Sequence, residues 1–295
     1  MIKNLPDLIE DFLRYLKVQK GRTALTVRNY RLYLKRFLNW GNTSRLAQAA
    51  DLTREKLRDY RLWLTRQKSL SGTTLSSATQ NYHLTALRSF VNYLRHKDVA
   101  TIPASSISLN PPQKRKVIFL TANDRRSLLQ AVGQSHEPTL VKMRDEAIIE
   151  LIAVSGLRVS ELVMLEKSQF NLSSVRLSII RRSTAYDLPL TAEVCRLLKN
   201  YLEHRTDQTN HAFIRHDRAA DNKPGRLTPR SVQRSLERYR KLAGLKQKVT
   251  PHTLRHSFAY QLATQGADLA TLQKSLGLKH PGGTHVYKET NKPGD

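Results

Sequence analysis

In His252-Thr253-Leu254-Arg255, two side chains suited to an anion stand three residues apart. At positions i and i+3 an imidazole and a guanidinium share one helix face. Thr250-Pro251, just ahead, supplies N-cap and N1 chemistry, so the pair lies beside a helix N-terminus, where backbone N–H groups and the dipole favour phosphate. Arg158, after Gly156-Leu157, adds a second always-charged fork, and Tyr287 adds a phenol that can act as a nucleophile. Singly, each has an ordinary structural reading: His252 against a carbonyl, Arg255 or Arg158 against a carboxylate such as Glu161, Tyr287 half-buried. What raises their weight is that they occur together and in a fixed order.

Other chemistries lack their motifs. There is no GxxxxGK[ST] loop, no GxGxxG after a strand, no HExxH, and no acidic constellation of the two-metal nuclease kind. A lone Cys195 leaves no disulfide framework and no cysteine-based zinc site. The opening MIKNLPDLIEDF places acids where a signal peptide needs a basic run, and the longest apolar stretch, from Ala147 to Leu157, is short and contains Glu150. The expectation is a soluble cytoplasmic protein with no membrane partner.

The 295 residues carry 50 Lys+Arg against 24 Asp+Glu, a formal charge of +26, beside a hydrophobic share of 39%. That share suffices for a core or two, and the length suits two domains. The charge calls for a polyanionic partner, nucleic acid ahead of an anionic membrane surface. It is woven through apolar-periodic segments rather than collected in a tail, so it belongs to the faces of folded elements.

Those elements must position the candidate groups. From Leu5 to about Asp98 the period is helical: Val27, Tyr30, Leu34, Phe37 and Leu38 share one face of a helix that Thr26 is expected to cap, with Arg28, Arg31 and Lys35 on another. Similar runs cover 53–66 and 78–95, the latter expected to turn Tyr82, Leu87, Phe90, Val91 and Leu94 inward. The stretch from Val99 to Lys116, rich in Pro and Ser, predicts an interdomain linker. Beyond it come a capped helix at Thr121, an apolar helix over 142–154, a helix over 159–166, strands at 175–180 and 186–190, and a helix over 192–203. Thr228-Pro229 opens a helix closed by Gly244, with Arg230, Arg234, Arg238 and Lys241 in a stripe. Gly266 and Gly277 divide the helical segment that begins at Thr250-Pro251.

The runs S-G-L-R-V-S-E-L at 155–162, P-H-T-L-R-H-S-F-A at 251–259, L-G at 276–277 and T-H-V-Y at 284–287 resemble, in that order and separation, the tyrosine recombinase (phage integrase) family, especially its Xer-like members. The likeness spans nearly the whole chain. It implies a mainly α fold with a small β-sheet: an N-terminal helical core-binding (SAM-like) domain over 1–98, a linker over 99–118, and a catalytic domain over 119–295. It also implies a site-specific recombinase whose Tyr287 attacks a DNA phosphate to form a 3′-phosphotyrosyl link, with Arg158 and Arg255 stabilising the phosphorane and His252 assisting. Neither metal nor ATP is then needed.

Two positions depart from the family pattern. Arg181 stands where a β-hairpin lysine normally serves as general acid, with Arg182 beside it, and arginine is a poor proton donor. Leu278 occupies the place of a histidine or tryptophan, which makes His280 the expected substitute and His285 a weaker one. Glu161 and Asp145 match supporting acids. The expected partner is a double-stranded DNA site gripped from two sides, with Arg28, Arg31, Lys35, His83, Arg88, Arg182, Arg230, Arg234 and Arg238 as contacts. Family resemblance adds a homodimer on each site and a homotetramer in synapsis, although KETNKPGD after Tyr287 is short and polar for tying protomers together. The competing readings are a DNA-binding relative impaired in catalysis and a type IB topoisomerase-like relaxing enzyme.

Overall fold

The computed structural model describes residues 4–69, 72–111, 117–181, 184–216 and 225–278. The chain divides into two compact units, Met1–Arg115 and Lys116–Asp295.

The first unit is built on α1 (Leu5–Val18), α2 (Ala24–Thr43), α3 (Arg54–Arg66) and α4 (Ser77–Arg95). Side-chain oxygens of Asn4, Thr23, Thr53 and Ser76 accept from first-turn N–H groups, so Thr23, not Thr26, starts α2. Phe12, Leu34, Phe37, Tyr60, Leu84, Leu87, Phe90 and Val91 fill the core between them. Tyr82 does not turn inward: it is 59% exposed and stacks on Tyr33 at 6.2 Å. His83, one position on and about 100° further round the helix, takes the buried place.

Part of the stretch expected to be an interdomain linker is fastened to this unit. Ile107 is buried in its core, and Arg88 Nε donates to the Ile107 carbonyl at 3.0 Å. Asn110 N–H donates to Asn81 Oδ1 at 2.7 Å while Asn81 Nδ2 donates to the Asn110 carbonyl at 2.9 Å. These side-chain to backbone bonds satisfy irregular backbone that no helix or sheet would.

The second unit surrounds α6 (Thr139–Ser155), whose residues from Ala147 to Ala153 are all buried, as an apolar run with no polar face requires. Around it stand α5 (Ala122–Gln134), α8 (Ala192–Glu203), α9 (Pro229–Leu242) and α10 (Pro251–Thr264). The helix expected over 159–166 is only the single turn α7 (Val159–Leu162). The hairpin forms with slightly different ends, β2 (Arg176–Arg181) against β3 (Thr184–Pro189), in register Leu177 to Leu188 and Arg181 to Thr184. A short strand β1 (Phe170–Asn171), which sequence period did not indicate, completes an antiparallel sheet in the order β1-β2-β3. The last described helix is α11 (Leu269–Leu276). No described helix is long and apolar enough to cross a membrane.

Inside the first unit the ring of His83 packs edge-on against Tyr33 at 4.7 Å, and its Nδ1 is buried without a hydrogen-bond partner. Burial, with Arg36 nearby, pushes its pKa down from 6.5 to about 4. Between those values the unfolded chain binds a proton that the folded one refuses. The stability of the neutral form is therefore complete above pH 6.5 and is lost as pH falls toward 4. His83→Phe keeps a ring against Tyr33 and removes the titration. Between pH 7 and pH 5 the variant is expected to lose about 2 kcal/mol less unfolding free energy than the parent in urea titrations, and equal losses would contradict this account.

Candidate active site

Helix α6 ends at Ser155, and Gly156 caps it in the left-handed region at φ +58, donating to the Ile152 carbonyl at 2.9 Å. A Cβ here would also stand 2.3 Å from Phe258 Cδ1, so the position excludes side chains twice over. The sharp turn delivers Arg158 to the N-cap of α7. There the Glu161 carboxylate accepts from the Arg158 backbone N–H at 2.9 Å and from Arg158 Nη1 at 2.8 Å.

Glu161 is shared. Arg181, at the end of β2, donates Nε to Glu161 Oε1 at 3.2 Å and Nη2 to Oε2 at 3.0 Å. Burial opposes ionisation of this carboxyl, but the hydrogen bonds from Arg181 and Arg158 outweigh it and hold the pKa below the usual range. The side chain of Arg181 lies on the buried face of its strand with Leu177 and Ile179, and the residue is 7% exposed.

Helix α10 supplies the third arginine. Thr250 accepts the Thr253 N–H at 3.1 Å, and Arg255, one turn in, is buried and donates to the carbonyls of Gly156 and Leu276. His252 stands at the surface beside it. Partial desolvation and the charges of Arg255 and Arg158 push its pKa below 6.5, which leaves the imidazole neutral at pH 7 and able to accept a proton. His256, one turn further, meets the His252 ring edge-on at 4.1 Å, and burial together with His252 and Arg255 pushes its pKa down to about 4.

All three guanidinium groups end on one helix terminus. Arg181 Nη1 donates to the Ser275 carbonyl at 2.8 Å, Arg255 to that of Leu276, and Arg158 Nη2 to that of Gly277 at 2.8 Å. These are the last carbonyls of α11, which its own ladder leaves unpaired and where the negative end of the dipole lies. Gly277, at φ +55, turns the chain there, while the N–H groups of Gly277 and Leu278 return to the Lys274 and Gln273 carbonyls at 3.0 Å.

The structure thus assembles Arg158, Arg181, Arg255 and His252 from three separated segments, the last two residues sharing α10. Tyr287, His280, His285 and Arg182 lie outside the described residues. Asp145 does not join the arginines: it pairs with Arg144 at 2.7 Å and accepts from Tyr239 Oη at 2.8 Å in the core. Sequence reasoning missed His256, although its spacing of four from His252 puts both on one helix face, and it missed the α11 terminus, which has no side-chain signature. Among the described residues no group of His, Cys, Asp and Glu could hold a metal ion.

One of the expected DNA contacts is corrected: His83 is 3% exposed and belongs to the first unit's interior, while half-buried Arg88 gives two of its guanidinium nitrogens to the Ile107 carbonyl. Arg28, Lys35, Arg230 and Arg234 are exposed. Arg31 pairs with Glu10, and Arg238 pairs with Glu137 while lying over the Tyr239 ring.

The pattern described as the phage integrase family matches residues 118–293, and that of the phage integrase N-terminal SAM-like domain matches residues 9–98. The tyrosine recombinase XerD of Listeria innocua is 31% identical over 291 residues, covering 97% of this chain and 95% of its own. The tyrosine recombinase XerC of Thermodesulfovibrio yellowstonii is 31% identical over 284 residues, covering 95% and 90%. Among solved structures, the XerH site-specific recombinase bound to palindromic difH substrate superposes with a TM-score of 0.75 at 21% identity, over 96% of this chain and 82% of that one. A lambda integrase dimer bound to a COC′ core site superposes with a TM-score of 0.73 at 18% identity, over 99% and 79%.

The packing of the arginines on α11 can be probed at its tightest point. A Cβ on Gly277 would stand 2.8 Å from Arg181 Cδ, whereas one on Gly244, also left-handed at φ +65, would meet nothing within 4 Å. Gly244→Ala is expected to cost about 1–2 kcal/mol for backbone strain alone. Gly277→Ala should cost clearly more in the same urea titrations, and equal costs would show that Arg181 yields freely.

Proposed function

Because the chain belongs to the phage integrase family of tyrosine recombinases, we propose that it cuts and rejoins DNA strands at a specific site through a 3′-phosphotyrosyl intermediate, with Tyr287 as nucleophile. The observation that carries this reading is the convergence of Arg158 and Arg255 beside His252, the three family residues that fall within the described structure. Arg158, with a side chain 38% exposed, has donors left to offer a phosphate, and Arg255 lends a buried charge behind it.

In the proposed reaction the phenol oxygen of Tyr287 bonds to phosphorus and the bond to the 5′ oxygen breaks. Its proton passes to neutral His252 or to solvent, and the departing 5′ oxygen takes one up. Two always-charged guanidiniums bind the nonbridging oxygens more strongly as negative charge grows on them, which is transition-state stabilisation. Since the phosphotyrosyl bond conserves the energy of the phosphodiester, resealing by a 5′ hydroxyl requires neither ATP nor metal. Both units contribute cationic surface to the duplex, with Arg28 and Lys35 on α2 and Arg230 and Arg234 on α9 as contacts. Dimers on each site, tetramers in synapsis and a cytoplasmic location belong to the same proposal.

The competing reading, a relative that binds DNA without cutting it, draws on Arg181 in place of a proton-donating lysine. A nicked suicide duplex carrying the site this protein selects from random DNA separates the two. The parent is expected to form a covalent adduct that resists denaturant, and Tyr287→Phe to form none. An adduct in the phenylalanine variant, or none with the parent, would overturn the mechanism. Arg234→Ala is expected to weaken binding evenly across sequences and to lower the log K against log salt slope by about 1, an unchanged slope removing Arg234 from the interface.

A further inference from the structure

We propose that Arg181 is a positioning residue and not the proton donor: it locks the β2–β3 hairpin to the end of α11 and, through Glu161, sets the direction of Arg158. This deepens the recombinase reading above and rests on it. All three guanidinium nitrogens of Arg181 are engaged, two on Glu161 and one on the Ser275 carbonyl. Strand alternation turns it inward beside Leu177 and Ile179, whereas Ile180, its neighbour on the other face, is 76% exposed. A guanidinium stays protonated in proteins, so its N–H groups donate hydrogen bonds here without giving up a proton.

Its geometry does something else. Glu161 receives one edge of Arg181 and two nitrogens of Arg158, Nη1 on Oε1 and the backbone N–H on Oε2, so the carboxylate cannot shift toward either arginine without losing the other. Arg158 is thereby held with its free side outward. Arg181 also presses its Cδ where a Cβ on residue 277 would lie, which ties the α11 terminus to the hairpin. The 5′ oxygen then takes its proton from solvent water or from a group other than Arg181.

The test compares the parent with Arg181→Lys on two suicide duplexes. One is an ordinary phosphodiester. In the other, sulfur replaces the leaving 5′ oxygen, and a thiolate, whose conjugate acid has a pKa of about 8.5, departs without an acid. A lysine keeps the charge but cannot fork across Glu161 and Ser275. Both substrates are expected to be cut at least tenfold more slowly by Arg181→Lys, with the ratio of sulfur to oxygen rates unchanged from the parent. A lysine variant that cuts the oxygen substrate as fast as the parent or faster, or that recovers selectively on sulfur, would overturn the proposal.

A second readout needs no DNA. Amide hydrogen exchange at Gly277 and Leu278 is expected to quicken at least tenfold in Arg181→Lys and in the isosteric Glu161→Gln, while exchange in α6 stays as in the parent. Unchanged protection at those two amides would equally overturn it. Failure of the parent to form any adduct would count against the recombinase reading, and the exchange result would still decide whether Arg181 holds the α11 terminus.

Discussion

Three guanidinium groups cannot be gathered in one small volume unless something negative lies between them. Here the opposing charge has two sources, the Glu161 carboxylate and the carbonyl end of α11. Every other feature of the site serves to supply them. Gly156 makes the turn that brings Arg158 onto Glu161, the parity of β2 sends Arg181 to the same carboxylate, and the Thr250 cap fixes the start of the helix that carries Arg255. Gly277 leaves the carbonyls of residues 275–277 pointing outward from the helix end rather than back into its own ladder.

The charge surplus of the chain, +26, has more than one use. Several arginines commit their donors to backbone: Arg88 to Ile107, Arg144 to Ile214, and Arg205 to His211 and Ala212. A planar fork suits this work, since one side chain can satisfy carbonyls in loops that lack any regular partner. A count of basic residues therefore overstates the cationic surface left for a polyanion. The exposed set on α2 and α9 remains, and it is spaced at helical repeats along one stripe of each helix.

Helix ends with side-chain caps were legible in the sequence because the signal is local. Thr228-Pro229 and Thr250-Pro251 each open a helix at the expected residue. The Tyr82 and His83 exchange shows where periodicity loses precision: on a helix one position is about 100°, and a tyrosine looks the better core residue until Tyr33 is found to shelter it at the surface. The fastening of residues 102–110 left no trace, since Asn81, Arg88 and Asn110 act through backbone bonds that have no period. Arg181 was partly legible. Its place two and four residues beyond Ile179 and Leu177 marked the buried face, but a charged residue there makes sense only once Glu161 and Ser275 are known to meet it.

The balance of charge at the site argues for what it is built to hold. Arg158, Arg181 and Arg255 bring three positive charges; Glu161 removes one, and a helix C-terminus is equivalent to roughly half a negative charge. Roughly one and a half positive charges remain uncompensated. A phosphodiester, with one negative charge, leaves part of that surplus unmet, while a phosphorane with charge approaching two uses all of it. In the proposed reaction the fit would improve as charge develops, which is the condition for rate enhancement rather than mere binding. Removing Glu161 would raise the surplus and strengthen the ground-state grip on phosphate, with loss of the direction that Arg158 needs. A site designed only to bind DNA would gain by that exchange, and a half-buried, doubly paired carboxylate at its centre favours the proposed chemistry.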